Sequence, residues 1–563
     1  MRSSHTTARR WRRTIKERLG ERSMAEFDYI IVGAGSAGCV LANRLTEDGK
    51  STVLLLEAGP KDTSLMIHIP VGYAQTLKDP KINWLYETEP DPGTNDRVHT
   101  WPRGKVLGGS SSINGLLYIR GQHQDYDGWA QMGLRGWSYD DLHPYFVKSQ
   151  NQERSGMSGH GKGGPLNVSD VTERHPVSDA VIEAGKALGL PHRDVNGEDQ
   201  EGICYYQLTV KNGQRCSAAV AYLNPAKKRP NLKIETNALA SRVTFEGKRA
   251  TGVEYTQNGQ KRSASARAEV ILCGGAINSP QLLELSGIGH PERLAANGID
   301  VVSALPGVGE NLQDHFVIGA RFRMKADAPS VNKQSRGLAL VGEVFKFLTQ
   351  RKGLLTLSAA HIAAFIKTRP ELATPDVQYH ILPATMDLQK MTETGDMELE
   401  KEPGITIAPC QLRPESRGSV HIRSSDPSMH PAIRPNYLSD PLDRETAIAG
   451  LRWARDLAQQ DPLAKYIAHE IEPGVDAQSD DELLSYARET GGTIYHPVGT
   501  CKMAPEGDPN GVVDDQLRVR GVSGLRVVDA SVMPRLVSGN TNAPTIAIAE
   551  KASDMIKQAL QLA

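Results

Sequence analysis

Three glycines, Gly33, Gly35 and Gly38, have the spacing of a loop that holds a dinucleotide. They separate a short apolar run from a stretch with helical spacing, Ser36 to Asp48, and Glu57 closes the next apolar run. In such a loop the first glycine permits a tight turn, the second lets the backbone approach a pyrophosphate, and the third allows close packing. The helix N-terminus supplies N–H donors, and a carboxylate at the position of Glu57 can accept a hydrogen bond from a ribose hydroxyl. The pattern predicts a dinucleotide site and does not distinguish FAD from NAD.

A second glycine-rich segment, GKVLGGSSSING at 104–115, is suited to a flat ring or a diphosphate. Its glycines let the backbone lie close to such a group, and its serine hydroxyls can donate to anionic oxygens. Taken alone, the same composition also fits a solvated loop. It follows a long stretch rich in Pro, Asp and Thr at 60–100, and loops of that length are usually functional.

His496, in the sequence YHPVGTC, is the candidate base. Pro497 biases the residue before it toward an extended backbone, so the imidazole is presented from a restrained position. An aliphatic hydroxyl ionises far above neutral pH, and hydride leaves its carbon readily only once the O–H proton moves to a base. A neutral imidazole suits that task. The alternative is an ordinary packed histidine, because the chain has 16 of them.

The Gly/Ser segment, together with GAINSP at 275–280 and SGIG at 286–289, resembles both sequence signatures of the glucose-methanol-choline (GMC) oxidoreductase family. The resemblance spans residues 27–560 and is nearest to the branch of choline dehydrogenases and aliphatic alcohol dehydrogenases. It implies FAD as the cofactor and oxidation of a primary alcohol to an aldehyde at the flavin. His496 stands at the family's catalytic histidine position and Asn540 at the second catalytic position, where it would hydrogen-bond the substrate oxygen.

The resemblance also assigns cofactor contacts. Those implied for the ADP half of FAD are Gly33, Gly35, Ser36, Gly38, Glu57 and Ala58, with Val243 near the adenine. Those implied for the flavin side are Val106, Gly109, Asn114, Gly115 and Leu116. The remaining contacts are implied for Asp529, Ala530, Asn542 and Thr545. The last two residues begin a helix whose positive end would stabilise negative charge on a reduced flavin.

One departure from the family pattern bears on how FAD is held. Some members attach FAD covalently through a histidine directly before the asparagine of the Gly/Ser segment, and this chain has Ile113 before Asn114. Isoleucine cannot form that bond, so noncovalent FAD is expected. No metal site is expected.

The sequence leaves the substrate and the electron acceptor open. We favour a small-molecule alcohol as substrate and a quinone-like acceptor. The alternatives are an alcohol oxidase that uses O2 and, less favoured, a hydroxynitrile lyase of the same family. Choline would require a desolvated cation site built from aromatic faces or a carboxylate, and none is recognisable in residues 316–480.

The strand and helix patterns predict an α/β fold that positions these residues. We expect a Rossmann-type FAD-binding domain, discontinuous in sequence, from residues 24–315 and 481–563, and an α+β substrate-binding domain at 316–480. Residues 1–23 are crowded with arginines and form a basic N-terminal extension that we expect to be disordered. Leu338 to Leu357 mixes apolar and basic residues; we favour a core helix with snorkelled basic residues over a segment that touches a membrane.

Bulk composition narrows the class of partner. A formal net charge of −1 gives no reason to expect nucleic acid. The six cysteines lack the paired spacing of a zinc site or a disulfide framework, which fits a reducing compartment. No apolar run has the length of a membrane span. We expect a cytoplasmic location, with peripheral contact at the inner face of the membrane as an option; the oligomeric state is open.

Overall fold

The structure is a computed structural model that describes residues 25–387 and 398–562. The predicted extension at 1–23 lies outside the described residues. The strands of the two large sheets are, in chain order, β1 (Ala25–Val32), β2 (Val53–Leu56), β3 (Gly202–Tyr205), β4 (Leu232–Glu235), β5 (Ala238–Glu246), β6 (Arg249–Gln257), β7 (Gln260–Leu272), β8 (Phe316–Val317), β9 (Ala320–Met324), β10 (Ile362–Ile366), β11 (Val377–Leu382), β12 (Gly404–Gln411), β13 (Ile467–Glu472), β14 (Gly492–Thr493) and β15 (Leu525–Val527).

The longer helices surround these sheets. They are, in chain order, α1 (Ser36–Thr46), α2 (His123–Gln131), α3 (Tyr139–Ser149), α4 (Pro176–Ala187), α5 (Gly275–Leu285), α6 (Gly337–Gln350), α7 (Pro441–Gln459), α8 (Asp480–Thr490) and α9 (Asn542–Leu562). A small sheet joins Leu117–Tyr118, Gln207–Leu208, Leu166–Asp170 and Gln150–Gln152. The α/β fold class expected from the sequence is confirmed.

The first large sheet brings the glycine loop and the acid that follows it to one edge. Its parallel part has the order β4-β2-β1-β7-β15, and β7 continues into an antiparallel meander with β6 and β5. Val32 at the end of β1 pairs with Leu56 on one side and Leu272 on the other. Since these strands are parallel, the residues that follow them emerge side by side at the carboxyl edge, where open α/β sheets bind ligands.

Helices α1 and α9 pack on each other beside this sheet, and a buried polar contact fixes their alignment. Arg44 of α1 forms an ion pair with Glu550 of α9 at 2.8 Å, and the Tyr222 hydroxyl donates to the same carboxylate at 2.9 Å. Glu550 is fully buried, so each of its partners offsets part of the cost of removing its charge from water. The alignment places the N-termini of both helices at the carboxyl edge.

The second large sheet has the order β13-β9-β12-β11-β10-β3 and is antiparallel, with β8 joining β12 to β14. In the β11–β12 pair, His380 lies opposite Ala408 and Leu382 opposite Thr406. Because strand side chains alternate between faces, these four residues share one face. The other face packs on α7, where the Tyr379 hydroxyl donates to Gly450 O at 2.8 Å.

Strands β3 and β14 come from outside residues 316–480, so the second sheet draws on more of the chain than the expected substrate-binding domain. The exact domain bounds stay a prediction.

Helix α6 differs from the core helix that the sequence favoured. Phe347 is the buried residue of this helix, and most of its other apolar side chains face solvent. The expectation of a core helix is therefore wrong. Apolar spacing indicated an amphipathic helix, but periodicity does not say whether the apolar face meets the protein.

Candidate active site

A cavity of about 500 Å³ lies between the carboxyl edge of the first sheet and the shared face of β11 and β12. Both candidate catalytic residues and most of the predicted cofactor residues line it. These are Gly33, Gly35, Ser36, Glu57, Ala58, Gly109, Asn114, Gly115, Leu116, His496, Asp529, Ala530, Asn540, Asn542 and Thr545. Segments far apart in sequence thus converge on one space.

Three predicted residues do not line the cavity. Gly38 packs inside the glycine turn, where a Cβ would lie 1.9 Å from Gly33 O, so its role is close packing. Val106 is buried in a separate apolar cluster beneath the Gly/Ser segment. Val243 is buried in the first core, with its backbone N–H donating to Ser286 Oγ at 2.9 Å. Nearer the cavity on the same strand are Leu239 and Ala240.

Backbone N–H groups of nearby loops hold the Glu57 carboxylate in place. One carboxylate oxygen accepts from Ala34 N at 2.9 Å and the other from Gly59 N at 2.9 Å. Burial raises the pKa of this carboxyl to about 7, against the lowering effect of these two hydrogen bonds. Each oxygen keeps a free lone pair for a further donor, such as a ribose hydroxyl.

Gly35 and Gly109 form a cradle without side chains. A Cβ on Gly109 would lie 2.6 Å from Gly35 Cα, and the φ of Gly109 is +52°, a conformation that favours glycine. Gly108 N donates to Ala34 O at 2.7 Å, which ties the Gly/Ser segment to the first loop. The two glycine-rich segments therefore make one surface that the backbone of a dinucleotide can approach closely.

The N-termini of α1 and α9 meet at this surface. Ser36 Oγ donates to Asn542 Oδ1 at 2.7 Å, and these are the first residues of the two helices. Gly35, the N-cap of α1, has no side chain to occupy the first N–H groups of the helix. Two helix N-termini at one point favour an anion there.

The Asp529 carboxylate forms hydrogen bonds to neighbouring residues of the protein. Its carboxylate accepts from Gly275 N at 2.8 Å, Ser279 Oγ at 2.6 Å and Ser531 N at 2.8 Å. Burial raises the pKa of this carboxyl above its usual range. The side chain thus fixes the start of α5 and the turn at Ala530, both of which border the cavity.

His496 is the end of a hydrogen-bond chain that begins at a backbone carbonyl. His315 Nε2 lies 3.1 Å from Leu412 O, and the two Nδ1 atoms of His315 and His496 are 2.9 Å apart. A carbonyl oxygen only accepts, so His315 Nε2 carries a hydrogen and its Nδ1 is the acceptor in the neutral ring. His496 Nδ1 therefore donates, which leaves the lone pair of His496 on Nε2.

Asn540 faces that lone pair. Its Nδ2 lies 3.1 Å from His496 Nε2, and its Oδ1 accepts from Gln378 Nε2 at 3.4 Å, which orients the amide. Gln378 also donates to the Tyr206 hydroxyl at 2.8 Å. The second N–H of Asn540 is left to serve an oxygen in the cavity.

The site keeps its histidines neutral. Burial lowers the pKa of His496 well below its usual value, with further lowering by His315, His380 and Arg103. Burial likewise lowers the pKa of His315 to about 4 and that of His380 to about 3. A neutral His496 is the form that can accept a proton.

The backbone around His496 is anchored and strained. Asp314 Oδ1 accepts from His496 N at 2.8 Å, and Arg103 Nη1 donates to Tyr495 O at 2.7 Å. Tyr495 has a φ of +69°, which is uncommon for a residue with a side chain. Such conformations persist only where surrounding contacts hold them, and they cluster at functional sites.

Several residues of this site are not predicted from the sequence, namely Arg103, Asp314, His315, Gln378 and His380. The pair Asp314-His315 lies before β8 in a segment without a glycine fingerprint, and Gln378 and His380 have the alternation of an ordinary strand. The polar side chains that alternate along β11 are the one sequence feature that could have indicated these two residues. A strand with a polar face beside the core often lines a binding site.

Comparisons with known proteins show the family to which the chain is similar. Family descriptions of GMC oxidoreductases match residues 27–317 and 414–549. Mitochondrial choline dehydrogenase of Homo sapiens is 45% identical over 548 residues, covering 96% of this chain and 91% of that protein. Alcohol dehydrogenase (acceptor) of Pseudomonas putida is 45% identical over 545 residues, covering 95% and 97%.

Among solved structures, pyridoxine 4-oxidase from Mesorbium loti has a TM-score of 0.84 and 32% identity, covering 94% of this chain and 98% of that chain. A fungal aryl-alcohol oxidase has a TM-score of 0.81 and 25% identity, covering 95% and 99%. The chain therefore belongs to the FAD-dependent GMC oxidoreductase family, and its relatives named choline dehydrogenase and alcohol dehydrogenase act on CH–OH donors.

Proposed function

We propose that this protein oxidises a primary alcohol to an aldehyde, with His496 as the base that accepts the hydroxyl proton. The observation that carries the proposal is the chain from Leu412 O through His315 to His496, which leaves the Nε2 lone pair toward Asn540 and the cavity. A base with its lone pair held in one direction lowers the barrier to proton removal.

The proposed chemistry at the hydroxyl uses two side chains. The second N–H of Asn540 donates to the alcohol oxygen and holds it beside His496. As the alcohol binds, its O–H replaces the Asn540 N–H at His496 Nε2, and this nitrogen then takes the proton. The electron pair of the broken O–H bond forms the carbon–oxygen double bond while the carbon gives up hydride. When bound, FAD supplies the acceptor for that hydride.

The residues around the cavity fit FAD. Glu57 offers acceptors for the adenosine ribose, and the Gly35–Gly109 cradle admits a pyrophosphate at the N-termini of α1 and α9. The N-terminal end of α9, near Asn542 and Thr545, faces the same cavity as Asn114, Gly115 and Leu116 on the proposed flavin side. Ile113 lines the cavity and offers no atom for a covalent link, so we propose that FAD is held noncovalently.

The wall opposite the glycine loops favours an uncharged alcohol. It includes Val317, Leu382, Met386 and Ala408, which are apolar. The acidic residues that line the cavity, among those the structure describes, are Glu57 and Asp529, and both carboxylates are engaged at the glycine-rich edge. A quaternary ammonium group near His496 would therefore gain no free carboxylate, and its binding would depend on the aromatic rings of Tyr73, Trp84 and Tyr495 that also line the cavity.

For reoxidation we propose a quinone-like acceptor, with O2 as the alternative. A relative named alcohol dehydrogenase (acceptor) supports the first, and one named oxygen-dependent choline dehydrogenase supports the second.

An anaerobic substrate panel tests the proposal. Purified protein with FAD is mixed with primary alkanols, aromatic alcohols, glycols and choline, and loss of oxidised-flavin absorbance is followed. We expect rapid loss with an uncharged primary alcohol and slow loss with choline. If no alcohol bleaches the flavin while a cyanohydrin is cleaved, the protein is a hydroxynitrile lyase and the proposal is wrong. Air or a quinone analogue admitted afterwards identifies the acceptor.

A further inference from the structure

Helix α6 exposes an unusual amount of apolar surface. Its exposed large apolar side chains are Leu338, Leu340, Val341, Val344, Phe345 and Leu348. Leu338 is 90% exposed and Phe345 66%, so these are not side chains with only their tips in solvent. Concentration of such residues on one short helix marks an interaction surface rather than scattered surface variation.

The exposed apolar side chains of α6 lie on one side of the helix. Leu338, Val341, Phe345 and Leu348 recur at intervals of three and four residues, so they form one stripe along the helix. Polar contacts hold the opposite side of α6 against the rest of the protein. Glu343 accepts from Leu354 N at 2.8 Å, and Lys346 pairs with Glu173 at 2.9 Å. The acidic residue of the helix therefore faces inward and the apolar stripe faces outward.

Cations flank this stripe. Lys333 precedes the helix, and Arg351 and Lys352 follow it. Within the described part of the chain, no carboxylate lies within ion-pair distance of any of these three residues, and all three are exposed. An apolar stripe bordered by unneutralised cations is complementary to a membrane surface that carries anionic lipids.

We propose that α6 binds in the interface of an anionic membrane, with the Leu338–Leu348 stripe among the acyl chains and Lys333, Arg351 and Lys352 at the headgroups. The helix has 14 residues, so it is too short to span the bilayer and lies in its plane. Of the helices that the structure describes, none is long and apolar enough to cross a membrane.

The charge of the surface favours a membrane over a second copy of the chain. Exposed cations stand at both ends of α6, so two copies that met along their stripes would bring like charges together at each end. A membrane with anionic lipids neutralises those cations instead. A membrane interface also needs only a short apolar helix with neighbouring cations.

An apolar cluster extends from the segment that follows α6 to the cavity. Leu354 and Leu357, which follow α6, pack with Leu382, and Leu382 lines the cavity. Ala359, two residues after Leu357, also lines it. Docking at α6 therefore places this side of the cavity toward the membrane. That side of the cavity would then meet an electron acceptor dissolved in lipid. This consequence rests on the proposed function; the docking of α6 at the membrane is independent of it.

Vesicle sedimentation tests the docking. The probes are vesicles of phosphatidylcholine with phosphatidylglycerol and vesicles of phosphatidylcholine alone, with the full FAD-loaded chain. We expect binding to the anionic vesicles that weakens with added salt. The double variant Val341→Asp/Phe345→Asp should lose binding by about tenfold or more, because it removes apolar burial and adds negative charge. Lys333→Gln/Lys352→Gln should weaken binding by about tenfold for anionic vesicles only.

The control is Val475→Asp, which places one of the two added charges at a side chain 66% exposed, as Phe345 is, but on another surface; it is compared with the single variant Phe345→Asp as well as with the double variant. It should bind as the parent does. FAD absorbance and turnover with a soluble dye acceptor check that each variant is folded, and Val341→Ser/Phe345→Ser replaces the aspartate pair if that pair does not fold. Vesicle binding is measured without turnover, so it stands apart from the proposed alcohol chemistry.

Three results would overturn the proposal. The first is a parent protein that binds neither kind of vesicle. The second is unchanged vesicle binding by the folded stripe variants. The third is a parent dimer in light scattering that the stripe variants convert to monomers without any vesicle binding, which would assign α6 to an interface between copies of the chain.

Discussion

The Nδ1 atoms of His315 and His496 lie 2.9 Å apart, although His315 directly precedes β8 and His496 follows β14, far along the chain. Only one of these atoms can carry the shared hydrogen, and the hydrogen bond of His315 Nε2 to Leu412 O decides which. The fold therefore sets the tautomer of His496 and the position of its lone pair. This relationship makes the proposed base testable in several ways.

Replacing His496 by alanine should slow flavin reduction by roughly 10²–10⁴-fold, because the proton acceptor is lost. FAD should stay bound, since the cradle and Glu57 are untouched. The residual rate should rise with pH as hydroxide replaces the base. Stopped-flow reduction by a good alcohol substrate measures the effect. A folded, FAD-replete variant that is reduced at parental speed would remove His496 from the mechanism.

Asn540→Ala should cost less than His496→Ala. It removes a positioning hydrogen bond worth about 1–3 kcal/mol, or roughly 5–150-fold in the rate of flavin reduction, while the base remains. The same stopped-flow assay compares the two variants at one pH. A larger loss in Asn540→Ala than in His496→Ala would contradict the assignment of roles.

Substitution of His315 separates positioning from catalysis. His315→Leu removes the acceptor for His496 Nδ1–H and should slow flavin reduction by about 10–100-fold, the effect of one unsatisfied buried donor. His315→Gln can accept from His496 and donate to Leu412 O, so it should restore much of the rate. Equal rates in the Leu and Gln variants would argue that His315 only fills space.

The pH dependence follows from the lowered pKa of His496. Burial disfavours its charged form, so the neutral, proton-accepting ring persists below the usual histidine pKa of 6.5. The rate of flavin reduction should stay level from neutral pH down past that value and fall only in more acidic solution. Stopped-flow reduction across a pH series measures this. A midpoint at or above 6.5 would mean that the ring is not desolvated as the structure has it.

Glu57→Ala should weaken FAD retention by about 1–3 kcal/mol through loss of charge-assisted hydrogen bonds. In the parent, burial raises the carboxyl pKa to about 7, so affinity of the apoprotein for FAD should fall as the pH drops through 7 and the ionised acceptor is protonated. Glu57→Gln keeps the shape and should lose that pH dependence. Fluorescence titration of apoprotein with FAD reports both effects; unchanged affinity would remove Glu57 from the site. In the same preparations, acid should release FAD intact, because Ile113 offers no attachment point.

The sequence by itself determined the local parts of this protein. Glycine spacing, the strand before it and the acid after it specified the dinucleotide loop, because such a turn depends on backbone conformation within a few residues. The same holds for the restrained His496 before Pro497 and for the family, whose signatures are continuous in sequence. Ile113, Asn114 and Gly115 could be placed at the cavity for the same reason.

Only the tertiary structure decided how distant groups combine. His315 and Leu412 act on His496 across separate elements, and neither carries a local signal of that role. Val243 and Leu239 lie on one strand, yet only the packing of that strand shows which one reaches the cavity. The apolar period of α6 fixed an amphipathic helix, while its exposure depends on what packs against it. Hydrogen bonding and burial between remote segments are properties of the assembled chain, and a linear pattern records neither.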